Sequence, residues 1–194
     1  MGRSTIDFLT VVLPDFLDAI GHDPADTAAD ATRRAVRSLN AAYRQVYQLA
    51  PWEDTWSDGA KTPSSGVIAW ADVGNAFQWN LWSADPRDDG NRALWLRSTH
   101  ADTGIQVLSD AYSGTVHAFW RPECPTFDGT TEDREFVALL RDPVLLFAQA
   151  EYARAAAQWQ TANALRKDGQ RILDELMETE FYRLQGKPWL KGAY

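Results

Sequence analysis

The chain has 194 residues and a mass of 21.8 kDa, with 45% hydrophobic and 24% charged residues, which excludes a disordered chain and leaves enough apolar material for a core. Its 27 acidic and 19 basic residues give a formal charge of −8, a surface that disfavours binding nucleic acid by phosphate neutralisation. The lone Cys124 rules out an internal disulfide framework, and Asp7, Pro14 and Asp15 interrupt the first apolar run as they would not in a signal peptide, so a chain kept inside the cell is expected.

The first element predicted is a helix capped by Ser4, with Ile6, Leu9, Leu13, Phe16, Leu17 and Ile20 on its apolar face. Pro14 kinks or restarts it, and Gly21 ends it. A stronger helix is expected over 25–49. Val36, Leu39, Ala42, Tyr43, Val46, Tyr47 and Leu49 form its stripe, Arg33, Arg34, Arg37 and Arg44 lie off it, and Pro51 closes it. Residues 52–65 read as a loop, because Asp58-Gly59 and Pro63-Ser64-Ser65-Gly66 are breakers. From residue 66 to 121 the apolar period drops to two. Strands are predicted over 67–71, 77–81, 93–97, 104–109 and 115–121, with a turn at 85–90, as a meander or small sandwich.

Beyond the strands, Pro122 and Pro125 hold the chain extended, and a short helix is predicted over 132–140. Asp142-Pro143 reads as N-cap and first helical residue of a long helix whose apolar series runs from Val144 to Leu184. Gly169 is either a break in it or a place where another helix comes close. Gly186 and Pro188 end the pattern. The expected fold class is therefore α+β. N-terminal helices (1–51) and long C-terminal helices (131–186) form a helical bundle, with an antiparallel β insertion (52–130) and an extended tail (187–194).

Chemistry-bearing motifs are absent from the sequence. It has no GxGxxG, no GxxxxGK[ST], no HExxH and no GxSxG. His100 and Asp102 would need a distant third ligand to hold a metal. Cys124 stands beside Glu123, whose charge would raise a thiol pKa. No catalytic centre, metal or cofactor is expected. Of the tryptophans, Trp79, Trp95, Trp120 and Trp159 fall in periodic segments and read as core. Trp52, Trp56, Trp82 and Trp189 flank loops or ends, where they would stack on sugars or anchor a neighbouring subunit.

Three segments carry a family likeness. Leu39-Asn40-Ala41-Ala42-Tyr43-Arg44, with Pro51-Trp52 after it, resembles the second helix of tailed-bacteriophage head-to-tail connector (adaptor) proteins. Trp82-Ser83-Ala84-Asp85-Pro86-Arg87 resembles a turn of their β insertion. Phe119-Trp120-Arg121-Pro122-Glu123-Cys124-Pro125-Thr126-Phe127 resembles their strand exit, and the long Ala-rich helix with Asp168-Gly169-Gln170 also fits. Glu123 and Cys124 depart from the basic Arg-Pro run of that exit.

The resemblance implies a non-enzymatic virion protein of the phage neck. It would form a homo-oligomeric, dodecameric ring under the portal protein, bind the next neck or tail protein, and extend a channel through which DNA passes without sequence-specific binding. Portal docking would fall to the tail residues Lys187, Pro188, Trp189, Leu190, Lys191 and Tyr194. Subunit contacts would fall to Arg33, Arg37, Trp52, Trp56 and Trp82. The competing reading is a carbohydrate-binding module or virion-associated hydrolase that uses exposed tryptophans.

Overall fold

The computed structural model describes residues 4–22, 29–50, 52–88, 92–108, 114–129 and 135–187. The described residues are 52% helical and 22% strand, and the strand pairs among them are antiparallel, which is an α+β content. The chain divides into two compact units. One is mainly helical and comprises Gly2–Asp54 and Cys124–Phe181; the other holds the four-stranded and three-stranded sheets and comprises Thr55–Glu123 with the chain from Tyr182 onward.

The helical unit opens with a short strand, β1 (Thr5–Asp7), instead of the helix start expected at Ser4. Asp7 is the residue that caps: its carboxylate accepts from the Thr10 N–H at 2.6 Å, and a π-helical turn (Phe8–Val12) leads into α1 (Leu13–Ala19). Pro14 thus restarts the helix in its first turn, where it costs no hydrogen bond. Helix α2 (Ala29–Leu49) buries Val36, Leu39, Ala42, Tyr43, Val46 and Tyr47, as the spacing demands, but leaves Leu49 exposed at its end. Its expected first residues and Pro51 lie outside the described residues.

Where a short helix was expected before residue 140, the chain forms strand β9 (Glu135–Val137), antiparallel to β1 with Ile6 opposite Phe136. A 3-10 turn (Ala138–Leu140) then feeds α3 (Arg141–Ala155). Asp142 and Pro143 sit inside the first turn of α3, so the helix begins slightly earlier than the Asp-Pro signal indicated. Helix α3 packs along α2, and α1 touches both. Their apolar faces meet in a core that includes Phe8, Phe16, Tyr43, Trp52, Phe136, Val144 and Leu173. Phe8 stacks on Phe127 with centroids 4.1 Å apart.

The break in the long C-terminal pattern falls at Ala157, not at Gly169. Ala157 takes a left-handed φ of 58°, the Gln158 N–H closes back on the Ala153 carbonyl at 2.9 Å, and α4 (Trp159–Gln185) starts afresh. Gly169 serves the other role: a Cβ there would lie 3.2 Å from the Leu146 Cβ, so the missing side chain lets α4 approach α3. Helix α4 runs for roughly 40 Å. It buries only Ala162, Gly169, Leu173, Glu180 and Leu184, a single narrow seam of spacing seven and four.

Among its described residues the sheet unit contains seven strands, more than the four or five expected. They are β2 (Ser57–Lys61), β3 (Val67–Ala69), β4 (Gln78–Trp82), β5 (Trp95–Leu96), β6 (Ser98–Ala101), β7 (Gly104–Val107) and β8 (Val116–Arg121). One sheet has the order β2-β8-β4-β5 and the other β3-β7-β6. Ile68, Ile105 and Val107 of the smaller sheet share one core with Leu81, Leu96, Val116 and Ala118 of the larger. Strand β2 replaces part of the predicted loop. As an edge strand it needs only one ladder, so its Ser-Asp-Gly-Ala-Lys sequence is tolerated; a Cβ on Gly59 would sit 3.8 Å from the Trp120 ring.

Candidate functional site

The turn at residues 85–88 forms as its composition implies, and its role is more than a reversal of direction. The Arg87 N–H donates to the Asp85 carboxylate at 2.9 Å, and the Asp88 N–H to the Asp85 carbonyl at 3.2 Å, an Asx-type turn. That turn aims the Arg87 guanidinium at the face of the larger sheet that carries Asp58, His117 and Phe119. There the register places Asp58 opposite Phe119, and His117 two residues along β8 on the same side. Arg87 Nη2 donates to Asp58 at 2.5 Å and to Asp85 at 2.8 Å. The His117 Nε2 lies 3.2 Å from the Asp58 carboxylate, and the Arg87 Cζ sits 5.3 Å from the centre of the Phe119 ring.

The charges in this cluster are mutually supporting. Hydrogen bonds from Arg87 hold the Asp85 carboxyl down at about 2 against the opposing effect of burial. Burial also works against the charge on Asp58, yet the hydrogen bonds it accepts, those of Arg87 and His117 among them, leave its pKa below the ordinary value. The same bonds, that to Asp85 first, raise the pKa of Arg87. A His–Asp pair is half of a nucleophile-activating array, but no Ser, Thr or Cys among the described residues hydrogen-bonds the His117 ring. What the arrangement does is rivet a polar turn onto an edge strand.

The residues singled out in the sequence are dispersed. Arg33 is exposed and lies 3.6 Å from Asp30 one turn away. Arg37 is exposed and, with Arg34, Ser38, Tyr152, Ala155 and Ala156, borders a shallow recess of about 300 Å³ between α2 and α3. Trp52 and Trp56 are corrections to the expectation of exposed aromatics: they are 0% and 1% exposed, each inside the core of its own unit. The Trp52 indole donates to the Val46 carbonyl at 2.8 Å, which satisfies an acceptor left open by the end of α2. Trp82 is half-buried beside Trp56, Phe119 and Leu184. Conversely Trp95 and Trp159, read as core, are 59% and 60% exposed.

Lys187 is half-buried just past α4, and burial lowers its pKa from the usual lysine value. Pro188, Trp189, Leu190, Lys191 and Tyr194 lie outside the described residues. Cys124 belongs to the helical unit and His117 to the sheet unit. Among the described residues, no group of three or more His, Cys, Asp or Glu is placed to hold a metal ion, and no helix is long and apolar enough to cross a membrane.

Helix α2 and the segment after β8 meet. The Asn40 side chain donates to the Phe127 carbonyl at 2.7 Å and accepts from the Phe127 N–H at 2.9 Å. This paired bond, beyond the reach of any sequence pattern, pins the strand exit to α2. No protein-family model matches the chain, and no curated protein sequence is significantly similar to it.

Proposed function

We propose that this protein is a structural subunit of a homo-oligomeric ring, of the adaptor kind that joins portal to tail at the neck of a tailed bacteriophage. The observation that carries the reading is α4. A helix gains most of its stability from packing, yet this one spends only a narrow seam on its own chain and exposes Trp159 and Met177. Such a surface favours an occupant, and in a ring the occupant is the next copy, through a heterologous contact that repeats until it closes. In this reading α1, α2, α3 and α4 make up the bundle of the subunit, and exposed Arg33 and Arg37 are available for ion pairs across the joint. The three sequence segments similar to connector proteins indicate which kind of ring. The acidic balance suits a channel wall along which DNA slides without sticking.

The test is electron microscopy and sedimentation of the purified protein, alone at high concentration and mixed with the portal protein of the same phage. Rings on the portal, lost with Trp159→Glu, are the expected result. A strictly monomeric protein that never co-sediments with portal defeats the proposal. Removing residues 187–194 separates docking from folding: an unchanged melt with lost portal binding assigns the tail to docking. A lowered melting temperature with portal binding intact assigns it to the subunit itself. The carbohydrate reading loses Trp52 and Trp56 as platform residues, since both are buried.

A further inference from the structure

The sheet unit contains an open recess of about 440 Å³, lined by Trp70, Asn75, Phe77, Trp79, His100 and Glu123. That size falls within the ordinary range of ligand sites. Trp70 begins a 3-10 turn (Trp70–Val73) that Gly74 and Asn75 close in left-handed conformations, with φ of 58° and 50°. Gly74 suits that place on two counts: its φ strains any side chain, and a Cβ would lie a tight 3.1 Å from the Pro122 Cβ. The Asn75 N–H donates to the Trp70 carbonyl at 3.0 Å and the Glu123 N–H to the Gly74 carbonyl at 3.3 Å. Turn and strand exit are thereby tied together, and Glu123 stands at the rim. Trp79 comes from β4 and His100 from β6, so the two sheets converge on the recess.

The rings pack against one another at an incline, leaving outer faces turned to the recess. The Trp70 centroid lies 4.7 Å from His100 at 40° and 5.6 Å from Trp79 at 62°; Trp79 and His100 are 6.4 Å apart at 43°. Both indole N–H groups are already used, that of Trp70 on the Ala101 carbonyl at 3.1 Å and that of Trp79 on the Ser98 hydroxyl at 3.0 Å. What remains for a ligand is π surface and a carboxylate. Glu123 is exposed and has no ion-pair partner among the described residues. The chain supplies its own cations to other ring faces of the unit: Lys61 lies 4.6 Å over Trp120, and Arg121 lies 5.0 Å from Phe77, itself a lining residue of the recess. No cation among the described residues lies over Trp70 or Trp79.

We propose that this recess is a binding site for a cationic side chain presented by a protein partner, arginine in preference to lysine. Ring faces attract a cation electrostatically, and a flat guanidinium stacks on one face while its edge donates to a carboxylate. Glu123 provides that carboxylate, and the Asn75 amide oxygen is a further acceptor. The net charge of −8 draws a basic partner towards the protein. A sugar is the poorer fit, because it asks for a flat platform bordered by free donors, whereas here the rings are tilted and the indole donors are committed. The proposal stands independently of the ring reading.

The test is NMR titration of the full-length protein, following the indole N–H signals of Trp70 and Trp79, identified through Trp70→Phe and Trp79→Phe. The probes are N-acetyl-arginine amide, N-acetyl-lysine amide, the neutral isostere N-acetyl-citrulline amide, and N-acetylglucosamine oligomers. Arginine amide should shift both signals saturably, with a Kd on the order of 1 mM. Lysine amide should bind several-fold more weakly and citrulline amide not at all, and binding should weaken as salt is raised. Glu123→Gln and His100→Ala alter exposed side chains; each should weaken binding about tenfold while the rest of the spectrum is unchanged. Citrulline amide binding as well as arginine amide, or sugar binding more tightly than either, overturns the proposal.

Discussion

Arg87→Met removes the guanidinium of the polar cluster but keeps an unbranched stem of similar length beside Phe119. The loss would be small if the ion pairs were fully exposed, about 0–1 kcal/mol. It would reach about 3–5 kcal/mol if they were fully buried, since a carboxylate would be stranded. The side chains are 30% exposed at Arg87, 31% at Asp85 and 10% at Asp58, between the two limits. A cost of about 2 kcal/mol follows. Its pH dependence has a definite sign. Asp85 is depressed from 3.8 to about 2, so the stability it contributes is complete above pH 4 and is lost as pH falls towards 2. The difference between wild type and Arg87→Met should therefore be full at pH 7 and shrink between pH 4 and 2. Hydrogen exchange at the β8 backbone amides, corrected for the intrinsic pH dependence, reads this locally. A difference under about 0.5 kcal/mol at pH 7, or one that widens on acidification, refutes the reasoning.

Gly104→Ala places a Cβ 2.0 Å from the Ile68 carbonyl oxygen, which is backbone and cannot turn aside, so a loss of more than about 4 kcal/mol is expected. A thermal melt within about 3 °C of wild type would contradict it. Asn40→Ala deletes both bonds to Phe127 and should cost about 2 kcal/mol in urea unfolding, whereas an unchanged midpoint would mean the clamp is idle. Ala157→Gly relieves a left-handed non-glycine residue between α3 and α4 and should stabilise by about 0.5–1 kcal/mol; destabilisation would show that φ is not the controlling factor. Trp52→Phe forfeits the bond to Val46 and leaves a small void, for about 2 kcal/mol, read by the melting temperature of the helical unit.

Helix α2 was legible because one face is buried along its length, so the 3.6-residue period stands in the sequence undiluted. Strand β2 was not, because Ser57–Lys61 carries no apolar alternation and its Asp58 answers to Arg87 and His117 on other segments. Glu135–Val137 was read as helical because three residues are too few to show a period, and what makes them a strand is the pairing with Thr5–Asp7. Trp79 and Trp120 pack against the sheet core as their spacing implies, whereas Trp52, Trp56, Trp95 and Trp159 depart from expectation for a related reason. Trp95 stands in a short edge strand with its exposed face outward, while Trp52 leaves a helix and folds straight back on its last turn. The turn at Asp85–Arg87 could be read from composition, but its target could not, since strand register alone brings Asp58 and His117 to it. The recess of Trp70, Trp79 and His100 is likewise assembled from separate segments, and no spacing announces it.

The pairing of β1 with β9 has a consequence for how the protein is made. Thr5 is synthesised roughly 130 residues before its partner Val137. At about 5–20 residues per second the first strand waits roughly 7–26 s for its mate. Throughout that interval Phe8, Val12 and Phe16 lack Phe136, Leu140 and Val144, the residues that later cover them. Strands β2 to β8 are meanwhile synthesised, whereas the part of the sheet unit from Tyr182 onward follows only later. Nascent chains stalled before and after residue 137 should therefore differ in one respect above all, the protection of the N-terminal apolar segment from proteases and chaperones.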